Sequence, residues 1–140
     1  MIKNPLEYSL GSSNIKYFPR LQYSKIAEII KSINGVIVNV TQITSITTGV
    51  TTNSTRGVIT TVALTTAAST VAGPFIVTNS YVKTTSLINV TVEYANGKTG
   101  FPISIIESVS NGTFNIRLLN VSTLAALNDV VKIHFRITNP

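Results

Sequence analysis

The sequence predicts an all-β protein: an antiparallel β-sandwich, jelly-roll-like, of about eight strands, preceded by an extended N-terminal arm and one short helix. Three observations carry this expectation. Thr (20), Ser (14) and Asn (13) supply about a third of the 140 residues while charged residues supply 11%, a composition that favours strands and turns over helices. Apolar residues alternate with polar ones over most of the chain beyond Val36, the period of a strand with one face on a core. Glycine-containing turn dipeptides punctuate these runs, including Asn96-Gly97 and Asn111-Gly112, both suited to turns that need positive φ. A hydrophobic fraction of 44% gives the chain enough apolar surface to offset the entropy of folding.

Residues 1–22 read as an arm. Asn4-Pro5, Gly11-Ser12-Ser13-Asn14 and Phe18-Pro19 interrupt any helical or strand period. A short amphipathic helix is expected over 23–35, because Ile26, Ile29, Ile30 and Ile33 fall on one helical stripe and Asn34-Gly35 supplies a stop. A helix this short is marginal alone, so its stripe needs a partner. That partner is either the edge of its own β domain or further copies of itself, and Ile at both core positions then favours trimers or tetramers.

Residues 36–140 are expected to form the sandwich. In 88–94, Ile88, Val90, Val92 and Tyr94 face one way and Asn89, Thr91 and Glu93 the other. Phe114, Ile116 and Leu118 alternate with Asn115 and Arg117, and Val131, Ile133, Phe135 and Ile137 alternate with Lys132, His134 and Arg136. Further strands are expected over 36–41, 43–50, 57–64, 74–79 and 101–108. Breaks fall at Asn53-Ser54, Ala72-Gly73-Pro74, Asn96-Gly97 and Asn111-Gly112, the last two read as hairpins.

The absence of Cys and the presence of a single His and five acidic residues remove thiol chemistry, Cys-ligated zinc and most acid–base constellations. No catalytic residue, metal or cofactor is expected. His134 should lie on the solvent face beside Lys132 and Arg136, and nothing local brings Glu93 and Glu107 together as a carboxylate pair. Asn96-Gly97-Lys98-Thr99 matches the end of a phosphate-binding loop, but Val92 stands where that pattern needs glycine and Phe101-Pro102 follows where it needs a helix. The net charge is +6, and residues 1–34 hold half of it. Basic and aromatic residues cluster there without forming the stripe of a nucleic-acid binder, so nucleic acid is not expected as a partner and an acidic protein surface is. No run approaches the length of a membrane span, and Asn4, Pro5 and Glu7 stand where a secretory leader would be apolar.

Residues 43–138 resemble modules in virion structural proteins of tailed phages and environmental viruses. The strings that carry the likeness are Gln42-Ile43-Thr44-Ser45-Ile46-Thr47-Thr48-Gly49-Val50, Arg56-Gly57-Val58-Ile59-Thr60-Thr61, Phe75-Ile76-Val77-Thr78-Asn79-Ser80-Tyr81-Val82 with Val90-Thr91-Val92, and Gly112-Thr113-Phe114-Asn115-Ile116-Arg117-Leu118-Leu119-Asn120, with Ala125-Ala126-Leu127-Asn128 and Lys132-Ile133-His134-Phe135 closing it. Such modules occur as head-fibre, capsid-decoration or tail-fibre domains. The resemblance implies a non-enzymatic sandwich on the exterior of a virion, trimeric, and attached by its N-terminal segment. The length of 140 residues favours a small decoration or fibre-base protein over a long shaft. On this reading Pro5, Leu6, Tyr8, Tyr17, Phe18 and Tyr23 are apolar anchors for a capsid or other virion protein. Lys3, Lys16 and Arg20 supply electrostatic complementarity, and Ile26, Ile29, Ile30 and Ile33 mediate oligomerisation.

Two rival functions follow from the residues. A receptor- or glycan-binding adhesin would place its site in loops 51–56, 95–100 or 120–129, with Tyr94 and Asn96 as contacts. A hydrolase assembled between subunits would draw on Glu93, Glu107 and His134.

Overall fold

The computed structural model describes residues 25–26 and 37–140. Of the helix expected over 23–35, Lys25 and Ile26 fall within them and are helical and exposed. The remainder, like the arm over 1–22, lies outside the described residues.

Eight strands follow in order: β1 (Ile37–Thr41), β2 (Val50–Thr51), β3 (Arg56–Thr60), β4 (Val71–Thr78), β5 (Leu87–Glu93), β6 (Pro102–Ser110), β7 (Thr113–Asn120) and β8 (Lys132–Thr138). They form two four-stranded sheets in a sandwich. Sheet A has the order β1-β3-β8-β5 and sheet B the order β2-β4-β7-β6. The topology is simplest as four arms, β1–β2, β3–β4, β5–β6 and β7–β8, each giving one strand to each sheet. In both sheets the arms run first, second, fourth, third, the rolled-strip character of a jelly roll. One feature departs from a purely antiparallel design. The first arm lies parallel to the second in both sheets, β1 on β3 and β2 on β4, while the other pairings are antiparallel.

The alternation read from sequence sets the core. Ile59, Phe75, Val77, Phe114, Ile116, Leu118, Ile133 and Phe135 point between the sheets and are buried. Phe114 of sheet B meets Phe135 of sheet A with ring centroids 6.0 Å apart and planes at 54°, a tilted geometry that suits aromatic quadrupoles. Phe135 lies opposite Gly57 of β3. A Cβ there would stand 2.7 Å from the ring and 2.4 Å from the Val38 carbonyl, so the glycine makes room for the aromatic.

Four local expectations need correction. The strand predicted over 43–50 is a loop apart from Val50, because the buried Gln42 side chain donates to the Ile46 and Thr48 carbonyls and folds the segment on itself. The strand predicted over 57–64 ends at Thr60, where the Thr61 hydroxyl accepts from the Val131 amide and replaces a ladder bond. Ala72-Gly73-Pro74 does not end a strand; it is a bulge inside β4, containing a cis Gly73–Pro74 bond. Asn111-Gly112 makes the expected β6–β7 hairpin, but Asn96-Gly97 does not pair its flanking strands. β5 and β6 belong to different sheets, so that turn carries the chain across the sandwich.

Candidate functional site

Of the residues predicted to dock or to oligomerise, Lys3, Pro5, Leu6, Tyr8, Lys16, Tyr17, Phe18, Arg20, Tyr23, Ile29, Ile30 and Ile33 lie outside the described residues. Ile26 is about half exposed. The candidate surfaces that can be described are those of the sandwich.

The outer face of sheet A is polar and basic. Lys132, His134 and Arg136 project from β8 as alternation requires, between Thr60, Val58 and Arg56 of β3 and Glu93, Thr91 and Asn89 of β5. Glu93 receives Lys132 Nζ directly opposite at 2.9 Å and meets His134 Nε2 diagonally at 2.9 Å. The hydrogen bond from Lys132, followed by that from His134, holds the Glu93 carboxyl below its ordinary pKa. This cluster is solvent-exposed, and its pairing is that of a surface ion-pair network. Glu107 pairs with Arg117 on the outer face of sheet B, so the two carboxylates considered as a catalytic pair occupy outer faces of different sheets. Among the described residues no group of three or more His, Asp or Glu side chains could hold a metal ion.

The candidate adhesin loops fall into two groups. Loops 95–100 and 120–129 meet at one end of the sandwich. Tyr94 Oη and Thr99 N both donate to Asn128 Oδ1, at 3.2 and 2.9 Å, and Thr99 Oγ1 donates to the Ala126 carbonyl at 2.7 Å. Asn128 N donates to Tyr94 Oη at 3.0 Å, so the phenol is occupied by its own loops. Lys98 and Asp129 close the junction with a 2.8 Å ion pair, which raises the lysine pKa and lowers that of the carboxyl. Asn96 stays exposed at the turn. Loop 51–56 lies at the opposite end, where Asn79 Nδ2 donates to the Ser54 carbonyl at 2.7 Å and Ser80 N to Asn53 Oδ1 at 3.0 Å. The three loops do not build one shared site.

Asn120 fastens the first of these ends. Fully buried, it donates through Nδ2 to the Thr66, Ala67 and Ala125 carbonyls and accepts at Oδ1 from the Phe101 and Ser122 amides. Sequence reasoning missed it because nothing local separates this Asn from the other twelve in the chain.

The outer face of sheet B is different in kind. Val71, Leu119 and Ile103 stand in one cross-strand row, and Arg117 and Ile105 in the next. The row continues past the strands through Phe101 and Val121, joined by Val121 N to the Phe101 carbonyl at 2.9 Å. Val71, Ile76, Phe101, Ile103, Ile105 and Val121 are each more than a third exposed. Gathered in neighbouring rows of one sheet face, these exposed apolar side chains make this face a candidate interaction surface. Its signal was present in β6, where Ile103 and Ile105 point outward while Ile106 packs on the core; apolar residues at both parities put apolar side chains on both faces of the strand.

No protein-family model matches the sequence, and neither a curated protein nor a solved structure matches the chain at a significant level. The class that the fold and its surfaces define is a β-sandwich with an apolar outer face on one sheet and a basic polar face on the other.

Proposed function

We propose that this chain is a non-enzymatic structural module of a virion. It is displayed on the particle exterior as a decoration or fibre-type protein, assembled as a homotrimer and anchored through residues 1–22. The observation that carries the assembly half is the apolar band on the outer face of sheet B. Exposed Ile, Val and Phe side chains in register across adjacent strands lower their free energy by leaving water, and the Arg117–Glu107 pair within the band supplies the polar contacts that fix register between copies. The virion half is supported by the resemblance carried by residues 43–138, and the anchoring by the basic, aromatic composition of the N-terminal segment.

Light scattering on the full chain tests the assembly. Three copies of a 15.0 kDa chain give a mass of about 45 kDa, as expected of a closed cyclic oligomer. Ile103→Lys combined with Ile105→Lys should reduce this to the monomer mass with an unchanged far-ultraviolet spectrum. An unchanged mass removes sheet B from the interface. Co-sedimentation with particles tests the anchoring: a chain lacking residues 1–22 should stay folded and soluble and lose particle binding, and retained binding refutes the arm.

The rival adhesin reading is favoured by one observation, the meeting of loops 95–100 and 120–129 around an exposed Asn96. Glycan-array binding that disappears in Asn96→Ala would displace the structural reading. Tyr94 is unsuitable for this test, since its hydroxyl holds the loops together.

A further inference from the structure

Three Asn-Gly dipeptides occur in the chain, Asn34-Gly35, Asn96-Gly97 and Asn111-Gly112, and the first lies outside the described residues. An asparagine followed by glycine can react with itself. The glycine has no Cβ to crowd the approach, and its backbone nitrogen closes a five-membered ring on the preceding side-chain Cγ. That nitrogen attacks only after losing its proton, so a hydrogen bond donated by its N–H, or one that pins the asparagine side chain, opposes the reaction. The fold treats the two described dipeptides differently. Gly112 N donates to the Val82 carbonyl at 2.9 Å, and Asn111 Oδ1 accepts from Thr84 N at 3.1 Å, so both residues are tied to the segment between β4 and β5. They also close the β6–β7 hairpin between Ser110 and Thr113, which face each other in register. Asn96 and Gly97 stand exposed in the crossover between the sheets. Among the described residues neither the Asn96 side chain nor the Gly97 N–H has a hydrogen-bond partner. Glycine conformation does not separate the two, since both have φ +79° and open space where a Cβ would stand.

We propose that Asn96 is a self-modification site, converting without an enzyme to isoaspartate and aspartate, while the fold protects Asn111. Hydroxide removes the Gly97 amide proton and the nitrogen forms a bond to Asn96 Cγ. The Cγ–Nδ2 bond breaks, and Nδ2 leaves as ammonia with a proton from water. Water then opens the succinimide. Attack at the Asn96 main-chain carbonyl carbon leaves the chain running through Cγ, as isoaspartate, and attack at Cγ restores the ordinary chain, as aspartate. In sum, one side-chain amide and one water become one carboxylate and one ammonium ion. Either product places a negative charge two residues from Lys98. Isoaspartate also adds one main-chain atom between Tyr94 and Thr99, which are joined by Tyr94 Oη donating to the Thr99 carbonyl at 2.9 Å. The reaction does not depend on what the module binds or where it is displayed.

Ageing the full chain in mildly alkaline buffer, with peptide mapping by mass spectrometry over time, tests the proposal. The peptide carrying Asn96 should pass from amide to acid about tenfold faster, or more, than the peptide carrying Asn111, the difference expected from one or two hydrogen bonds. Labelling of the aged chain by an isoaspartyl methyltransferase should fall on the Asn96 peptide. In guanidinium chloride, where both turns are dissolved, the two rates should converge. Gly97→Ala, which adds a Cβ beside the nucleophile and leaves Asn96 in place, should slow the conversion of Asn96 and leave that of Asn111 unchanged. Equal rates at the two sites in the folded chain, faster reaction at Asn111, or an intact Asn96 over a period in which the unfolded chain converts would overturn the proposal. A difference that persists in the unfolded chain would also overturn it, since local sequence and not the fold would then set the rates.

Discussion

Asn120 shows how a single buried amide can hold one end of a sandwich. Its five hydrogen bonds reach backbone groups in three separate loops, and Asn120→Ala would strand several buried polar groups at once. We expect a loss of about 3 kcal/mol or more in urea unfolding, since each unsatisfied buried group costs about 1–3 kcal/mol. The glycines separate two other costs. Gly112 has φ +79° and open space where a Cβ would stand, so Gly112→Ala should cost about 1 kcal/mol from backbone conformation alone. Gly57→Ala meets both the Val38 carbonyl and the Phe135 ring and should cost at least as much as a typical overpacking substitution, about 1–3 kcal/mol; paired denaturation curves compare the two directly. Glu93 gives a pH signature. Its folded pKa is depressed, so its contribution is present above the unfolded pKa and is lost as pH falls through the folded value. In Glu93→Gln the acid limb of the stability profile should be flatter, as measured by thermal unfolding across that range. The alternation placed Glu93, Lys132 and His134 on solvent-facing positions, but their convergence required the β5–β8 register, which relates residues about forty positions apart.

At the scale of elements, the same kind of dipeptide did two different things. Asn111-Gly112 closes a hairpin and Asn96-Gly97 carries the chain between sheets, although both glycines have φ +79°. A left-handed turn residue specifies a change of direction, and the strand that receives the chain afterwards is chosen by packing elsewhere. The crossover is instead secured by side chains, with Asn128 Oδ1 accepting from Thr99 N and from Tyr94 Oη. Asn128→Ala should therefore speed hydrogen exchange at the Thr99 amide while exchange at core amides of β8 stays near the wild-type rate. The loop over 42–49 makes a related point. Its β-branched composition predicts a strand, but the Gln42 amide captures two of its carbonyls, and a tertiary contact overrides a local preference.

Across the described sandwich, the four-arm order leaves two outer faces with distinct chemistry. The apolar outer face of sheet B and the basic outer face of sheet A respond oppositely to salt. Raising ionic strength to about 1 M shortens the Debye length to about 3 Å, so the self-association proposed for the apolar band should persist or strengthen, while docking that depends on the excess of Lys and Arg should weaken; sedimentation of the full chain alone and with particles, at low and high salt, measures both. Local pattern along the chain was enough to establish that the region beyond Val36 is built from strands, which side chains of β5, β7 and β8 point inward, and that the chain is poor in groups able to make or break bonds. Only the packed molecule revealed which strands are neighbours, hence the parallel first arm, the apolar rows on sheet B and the knot of hydrogen bonds at Asn120. The difference arises because inward and outward positions follow from a two-residue period written in the chain, whereas backbone donors and acceptors are the same at almost every residue. Partner and register are settled only when distant segments pack their side chains against one another.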